Sequence, residues 1–315
     1  MKIERIILPV RPQPDTIVAI FLLKKFGKNK YENIVNASIV ADPNIGNSGH
    51  EENIKNGNLL IDCGSGLYDH HGTQNPSCAA NLVAKDLGIA GDPAISKLLR
   101  YAERDDQFGL GTVSKDAIDR AFGLSGLVGS LNKQFPEDSQ KVFDFILPLI
   151  EAHYLEEYIR IHELPAVYKK LFDEGKVIEL NLGVKMPLKA VLVESDNISI
   201  PGYLRAQAGG KFNIVVQRRT SGHVNILTKV SKGKINLERL VAVIRGAEYY
   251  MQNDKEIDKK YGELIIPARM GEVPNWYYDP ATNSIQNGGV HTELTEATKI
   301  PWENWKRILE IAFND

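Results

Sequence analysis

The sequence predicts an α/β protein made of a parallel-sheet domain, a helical connector and a smaller mixed α/β domain. Short apolar segments rich in Ile, Val and Leu alternate with helical segments in the first part of the chain, which is typical of a parallel sheet. From Lys176 onward the pattern changes to short, β-rich segments. These observations predict a first domain over 1–147, a connector over 148–175 and a second domain over 176–315.

The first domain is predicted from its alternating segments. Ile3–Val10 is predicted to be a buried strand, and Thr16–Phe26 an apolar helix that ends at Gly27. Asp15 therefore lies at the N-terminus of that helix, where an N-cap role would account for it. Val35–Ala41 is predicted to be the second strand of the sheet.

The connector and the second domain are predicted from helical and β-rich patterns. The connector belongs to a strongly helical segment, Gln140–Leu171, in which Pro148 and Pro165 are interruptions. Strands and amphipathic helices are expected beyond it, in the segments Lys189–Ser195, Phe212–Gln217, Leu237–Tyr250 and Trp302–Phe313.

Composition excludes several classes of protein. The chain has 315 residues, of which 43% are hydrophobic and 25% charged, and no apolar segment approaches the length that spans a bilayer. The two cysteines, Cys63 and Cys78, do not make a disulfide framework, so a reducing, cytoplasmic location is expected. A net charge of −2 argues against a protein that coats nucleic acid non-specifically.

The segment Asn58–Gly72 carries the strongest chemical signal. An apolar run ends at Asp62, a glycine-rich turn follows, and a second short run, Leu67-Tyr68, precedes Asp69-His70-His71. We expect two brief strands here, each followed by polar side chains at the edge of the sheet where ligands collect. Carboxylate and imidazole groups held on such strand ends are ligands for Mn²⁺, Mg²⁺ or Zn²⁺.

Asp69-His70-His71 after an apolar segment resembles the signature of the DHH phosphoesterase superfamily. The short, glycine-rich spacing between Asp62 and Asp69 is most similar to the branch of the melanocyte-proliferating-gene nuclease. The resemblance implies a metal-dependent phosphoesterase, with Mn²⁺ as the first candidate and Mg²⁺ as the alternative.

The resemblance also implies roles for individual residues. The metal ligands would be Asp15, Asp62, His70 and Asp105, with Asp106 as the alternative to Asp105. Asp69 and His71 would be catalytic: Asp69 would orient His70 through its ring nitrogen, and His71 would bind or protonate a phosphate oxygen.

The segment around Asp15 departs from the family pattern of one His and two Asp. Only Asp15 offers a carboxylate, because Gln13 or Ile17 occupies the other acidic position, depending on the alignment. No histidine precedes it: Pro9 or Arg11 stands at that position. One metal ion, or one tightly held ion and one that binds with the substrate, is therefore expected rather than two tightly held ions.

A second group of candidate residues lies in the second domain. Arg218, Arg219, Gly222 and His223 are predicted to lie at the turn of a hairpin. Fork-shaped guanidinium donors and an imidazole suit a phosphate group. Gly222-His223 also resembles the Gly-His element of the family's C-terminal domain, which implies substrate binding and closure of that domain during hydrolysis; a solvated basic hairpin is the alternative.

The sequence thus predicts a hydrolase that cleaves a phosphodiester in a nucleotide or a short single-stranded oligonucleotide, that is, a phosphodiesterase or nuclease. Two alternatives stay open: a non-catalytic nucleotide- or phosphate-binding protein on a decayed scaffold, and a small-anion hydrolase such as a pyrophosphatase. The expected partner is a phosphorylated small molecule or short single-stranded nucleic acid. No membrane partner is expected, and a homodimer is left open.

Overall fold

The computed structural model divides the chain into two compact units, Met1–Tyr158 and Ile159–Asp315. It describes residues 1–9, 11–42, 44, 49–72, 77–109, 114–183, 187–206, 209–228, 235–288 and 294–314. Val10, the end of the first predicted strand, lies outside the described residues. The division between the units falls inside the predicted connector, 148–175, and the boundaries of that connector stay a prediction.

The first unit contains a parallel sheet of three strands among its described residues. The strands are β1 (Arg5–Leu8), β2 (Ser38–Ala41) and β3 (Asn58–Leu60), in the order β2-β1-β3. Leu8 pairs with Ala41, and Ile7 pairs with Leu60, so all three strands end at one edge of the sheet. This edge is where polar side chains that follow the strands can converge.

Seven α-helices accompany this sheet among the described residues of the first unit. They are α1 (Pro14–Phe26), α2 (His50–Lys55), α3 (Ala79–Asp86), α4 (Ser96–Phe108), α5 (Ala117–Phe122), α6 (Leu124–Gln134) and α7 (Ser139–Tyr158).

Helix α1 is the buried helix of this unit, because its first ten residues are almost wholly inaccessible to solvent. Pro14 occupies its first position, where a missing N–H does no harm. The Gln13 N–H donates to Thr16 Oγ1 at 3.0 Å and fixes the start of the helix. Asp15 is thereby placed in the first turn of α1, the helix that follows β1 along the chain.

The second unit is built on a mixed sheet of seven strands among its described residues. The strands are β4 (Val177–Leu182), β5 (Leu188–Glu194), β6 (Ile214–Arg218), β7 (Val224–Thr228), β8 (Ala268–Met270), β9 (Val273–Asp279) and β10 (Ser284–Gln286). Their order is β4-β5-β6-β7-β10-β9-β8, and β5 and β6 are the parallel pair.

Helices cover parts of both faces of this second sheet. They are α8 (Leu164–Asp173), α9 (Ile200–Arg205), α10 (Glu238–Asn253), α11 (Tyr261–Leu264) and α12 (Trp305–Phe313). One core packs α10 and α12 against strand residues such as Val216 and Trp276. The other packs α8 and α9 against Val191 and Val215. The predicted α/β fold class, with a parallel sheet followed by a separate mixed sheet, is confirmed.

Two local features differ from the prediction or refine it. Leu67 and Tyr68 form a turn rather than the predicted second short strand. Helix α7 runs through Pro148, and a π-helical turn, Ile159–Glu163, joins it to α8.

None of the helices among the described residues combines the length and apolar character of a membrane-crossing segment.

Candidate metal centre

Five acidic and histidine side chains meet at the edge of the first sheet where its strands end. Asp15 comes from α1, Asp62 from the loop after β3, His70 and His71 from the end of that loop, and Asp106 from α4. They form two overlapping groups, Asp62-His70-His71 and Asp15-His70-Asp106, and within each group the ligand atoms lie within 4.8 Å of one another. His70 belongs to both groups and therefore lies at the middle of the cluster.

The contacts of His70 and His71 hold this cluster together. His70 Nε2 lies 3.0 Å from Asp62 Oδ1 and 3.6 Å from Asp106 Oδ1. His71 Nδ1 lies 3.6 Å from the same Asp62 oxygen, and the two imidazole rings are 4.6 Å apart between centroids. Asp62 is thus the carboxylate that both histidines approach.

The loop from Asp62 to Asp69 is tightly constrained. Asp62 adopts a left-handed backbone conformation (φ 60°), which Asp tolerates better than most residues, and its N–H donates to Tyr68 O at 3.0 Å. A Cβ on Gly66 would lie 2.6 Å from Nδ1 of the half-buried His50, so a side chain at this position has no room. Packing therefore fixes the path of the chain between Asp62 and Asp69.

Tyr68 anchors the other end of this loop in the core. Its side chain is fully buried, and its hydroxyl lies 2.6 Å from the Tyr31 hydroxyl and donates to Asp86 Oδ2 at 2.5 Å. Lys30 completes the network through an ion pair with Asp86. Sequence reasoning did not assign Tyr68 a role at the site. The signal that could have found it is an aromatic residue directly before Asp69.

The buried carboxylates of the cluster, Asp15 and Asp62, have raised pKa values, and a bound cation would stabilise their ionised forms. Burial raises the pKa of Asp15 to about 7, and the nearby Asp62 carboxylate adds to this effect. Burial likewise raises the pKa of Asp62 to about 6. Asp15 Oδ2 is buried and has no hydrogen-bond partner among the described residues, whereas the buried Asp62 Oδ1 faces the rings of His70 and His71. A positive ion would pair with the Asp15 oxygen and would share the Asp62 oxygen with the histidines.

The residues present fit a divalent metal ion. Three carboxylates and two imidazoles offer hard oxygen and borderline nitrogen ligands, a set suited to Mn²⁺, Mg²⁺ or Zn²⁺. The predicted residues Asp15, Asp62 and His70 are all in the cluster. Gln13 donates its backbone N–H to Thr16 Oγ1 at the start of α1.

Asp106 joins the cluster, and Asp105, the first choice from sequence, does not. The Asp105 carboxylate instead accepts a hydrogen bond from Ser125 Oγ of α6, and the same serine contacts the Tyr101 hydroxyl at 2.5 Å. The reason is helical geometry: adjacent residues point about 100° apart around the helix axis, so only one of the pair faces the other ligands.

Asp69 contacts His71, whereas the sequence analysis expected it to orient His70. Asp69 Oδ1 lies 2.8 Å from His71 Nδ1, and Asp69 Oδ2 accepts from the Ser65 N–H at 2.7 Å. Burial raises the pKa of Asp69, but the hydrogen bonds from His71 and Ser65 outweigh it and hold this pKa below its usual value. The same contact raises the pKa of His71. Asp69 therefore orients His71 and favours its protonated form.

The candidate substrate residues of the second unit divide into two settings. Arg218 and Arg219 line a cavity of about 420 Å³ together with Glu194 and Asp196. Arg218 Nη1 lies 3.4 Å from Glu194 Oε2, so acidic side chains balance the two arginines. The lining of this cavity therefore carries charges of both signs rather than positive charge alone.

Gly222 and His223 lie in the same hairpin but are occupied by internal contacts. Gly222 has φ +83°, a conformation that favours glycine, and its N–H closes the turn onto Arg219 O at 2.9 Å. His223 is 6% exposed; its Nε2 donates to Thr295 O at 2.8 Å, and its Nδ1 contacts Ser221 Oγ at 3.0 Å. The imidazole of His223 therefore holds the hairpin in place.

Comparison with known proteins gives little guidance beyond this geometry. No known protein family matches the sequence, and no curated protein matches it. Among solved structures, the chain is similar to the pGpG-specific phosphodiesterase PggH from Vibrio cholerae, over 76% of this chain and 87% of that one, with 14% identity and a TM-score of 0.24. A TM-score this low carries no weight for function.

Proposed function

We propose that this protein is a phosphoester hydrolase of the DHH type that depends on a divalent cation and cleaves a phosphodiester in a nucleotide or a short single-stranded oligonucleotide. The observation that carries the proposal is the cluster of Asp15, Asp62, His70 and Asp106, in which the buried Asp15 Oδ2 has no hydrogen-bond partner among the described residues. A bound divalent cation would neutralise charge on the phosphoryl oxygens and lower the pKa of a coordinated water.

The protein's own residues have two tasks in this proposal. Asp15, Asp62, His70 and Asp106 hold the cation, with Asp106 in the place first given to Asp105. His71, whose side chain is 65% exposed, can reach a phosphate oxygen or a leaving group, and the hydrogen bond to Asp69 raises its pKa. An imidazolium in this position acts as a general acid or as a cationic phosphate ligand.

Two features support the proposed substrate class. The sequence Asp62…Asp69-His70-His71 resembles the nuclease branch of the DHH superfamily, and Arg218 and Arg219 supply fork-shaped donors for phosphate. Mn²⁺ is the cation that this resemblance favours, with Mg²⁺ as the alternative. Because His70 belongs to both overlapping groups of ligands, we favour one cation bound at His70. Two cations would each occupy one of the groups.

The test is hydrolysis with and without metal. Metal-free protein would be supplied with Mn²⁺, Mg²⁺ or Zn²⁺ and assayed on bis(p-nitrophenyl) phosphate, a dinucleotide, a short RNA and pyrophosphate. The variants would be His70→Ala and Asp62→Asn, since Asn tolerates the left-handed backbone of residue 62. His153→Ala, which removes an exposed histidine of α7, would be the control.

Metal-dependent cleavage of the diesters that disappears in both variants, but not in the control, would support the proposal. Cleavage of pyrophosphate alone would replace it with the small-anion hydrolase. Metal binding without cleavage of any substrate, together with retained nucleotide binding, would favour the non-catalytic alternative.

A further inference from the structure

Helix α7 of the first unit presents an apolar stripe to solvent. The stripe consists of Phe145, Pro148, Leu149 and Ala152, whose spacing of three or four residues places them side by side along the helix. All four residues are exposed, Phe145 to 52% and Leu149 to 57%. Single exposed apolar side chains are common, whereas a contiguous set of them is typical of an interaction surface.

The packing of α7 on its own unit uses a different side of the helix. Its buried hydrophobic residues are Val142, Phe143, Ile146, Ile150 and Tyr154. The Tyr154 ring lies 5.7 Å from the ring of Phe21 of α1, between centroids, and Gln140 Oε1 accepts from the Ile39 N–H of β2 at 3.0 Å. The core of the unit therefore holds α7 in place and leaves the stripe at the surface.

A charged residue lies at each end of the stripe, and the two charges are opposite. Lys141 lies one turn before Phe145, Glu156 lies one turn after Ala152, and both charged residues are exposed. The dipole of a helix favours acidic residues near its N-terminus and basic residues near its C-terminus. Because α7 (Ser139–Tyr158) has the reverse arrangement at these two positions, its dipole does not account for them.

The stripe is complementary to itself when two copies of α7 run antiparallel. A two-fold axis midway along the stripe places Lys141 of one copy opposite Glu156 of the other, because the two residues are equally far from its middle. The same axis places the large side chain of Phe145 opposite the small side chain of Ala152. Opposite charges and matching side-chain sizes are properties of an interface between identical surfaces.

The contacts that the two charged residues already make are compatible with this pairing. The Lys141 ammonium lies 4.3 Å from the centre of the Phe135 ring, and Glu156 also has a contact within its own chain. An ammonium group has several donors and a carboxylate has several acceptor sites, so each group can add a partner.

We propose that the protein forms a homodimer in which α7 of one copy packs antiparallel against α7 of the other. Pro148 and Leu149 lie at the two-fold axis, and a Lys141–Glu156 ion pair lies at each end of the interface. A second copy of the chain is the partner because the charges and sizes along the stripe match the same stripe in reverse. The proposal does not depend on metal binding or on hydrolysis in the first unit.

The experiment is sedimentation equilibrium of the full-length protein over a wide range of concentrations, in EDTA. Leu149→Glu places a charge at the centre of the stripe. Ile198→Glu makes the same kind of change at an apolar residue of the second unit that is 80% exposed, and it serves as the control. Melting temperatures of all variants show that each is folded.

Charge reversal tests the antiparallel register. Lys141→Glu and Glu156→Lys each bring like charges together across the two-fold axis, whereas the double variant restores opposite charges in exchanged positions. Both single changes suit the dipole of α7, so a loss of association would not result from a weaker helix.

A dimer whose dissociation constant rises about 10-fold or more in Leu149→Glu, and about 3-fold or more in each single charge reversal, would support the proposal if Ile198→Glu and the double variant stay close to the wild type. The proposal is overturned if the wild type is monomeric at every concentration, or if Leu149→Glu associates as tightly as the wild type. A double variant that associates no better than the single reversals would overturn it as well. Because EDTA is present throughout, failure of the hydrolysis assay would leave this result unaffected.

Discussion

His71 Nδ1 lies 2.8 Å from Asp69 Oδ1, so Asp69 is the hydrogen-bonding partner of the second histidine of the Asp-His-His motif. His70 lies beside it and faces Asp62 and Asp106 of the candidate cation site. The contact between Asp69 and His71 leads to the first prediction.

Asp69→Asn should lower the rate of hydrolysis and leave cation binding nearly intact. Without the Asp69 carboxylate, the pKa of His71 should fall toward its ordinary value, so less of the imidazole is protonated at neutral pH. Loss of a general acid costs about 10² to 10⁴-fold in rate. Steady-state kinetics, a histidine NMR titration and metal content would be measured together; loss of bound metal with an unchanged pKa of His71 would contradict the prediction.

The adjacent residues Asp105 and Asp106 provide a matched pair of variants. Asp106→Asn should weaken cation binding and hydrolysis together, because the Asp106 carboxylate lies 3.6 Å from His70 Nε2 within the cluster. Asp105→Asn should affect both much less, since an amide oxygen still accepts the hydrogen bond from Ser125. Cation titration of both variants would decide, and a larger loss in Asp105→Asn would restore the assignment that the sequence first favoured.

Cation affinity should rise with pH in the range from about 6 to 7. Burial raises the pKa of Asp15 to about 7 and that of Asp62 to about 6, so the metal-free protein holds protons on these groups near neutrality. A cation binds the ionised carboxylates, and binding therefore releases protons below pH 7, whereas the affinity should level off above it. Calorimetry in buffers of different ionisation enthalpy measures this release. Asp15→Asn should reduce it, and an unchanged release in that variant would refute the assignment.

Gly66→Ala should destabilise the protein by about 1–3 kcal/mol, because the new methyl group would lie 2.6 Å from His50 Nδ1. The double variant Gly66→Ala/His50→Ala should recover part of this loss. Gly129→Ala is a fitting control, since this residue of α6 has nothing within 4 Å of an added Cβ and Ala favours a helix. Denaturant unfolding compares the three variants. Equal stability of Gly66→Ala and the wild type would show that the loop can shift.

The sequence predicts the edge of the first sheet well because the relevant information is local. The apolar residues of β1, β2 and β3 stop where polar residues begin, so Asp62 and the two histidines are expected beside Asp15. The parallel register of β1, β2 and β3 brings their ends to one edge of the sheet, and with them residues that are distant in sequence. The α/β fold class follows from the same alternation of segments.

The details that the sequence does not reveal depend on contacts between distant segments. Helix geometry allows only one of Asp105 and Asp106 to face the cluster, and the contact of Asp105 with Ser125 of α6, which no pattern around Asp105 indicates, shows which one. Tyr68 extends into a buried network with Tyr31 and Asp86, which holds its segment as a turn where the apolar pair Leu67-Tyr68 suggests a strand. Side-chain direction at single positions is decided by packing, which a residue pattern does not record.

Under the proposed function, the buried carboxylate of Asp15 also links the stability of the folded chain to the supply of a divalent cation. Folding raises the pKa of Asp15 from 3.8 to about 7, so in the metal-free protein the stability gained from the protonated form is lost as the pH rises through about 7. A cation that binds only the folded chain reverses this loss by mass action. If the chain binds the proposed cation, shortage of that cation in a cell would lower the amount of the protein, through proteolysis of its unfolded fraction, as well as its activity.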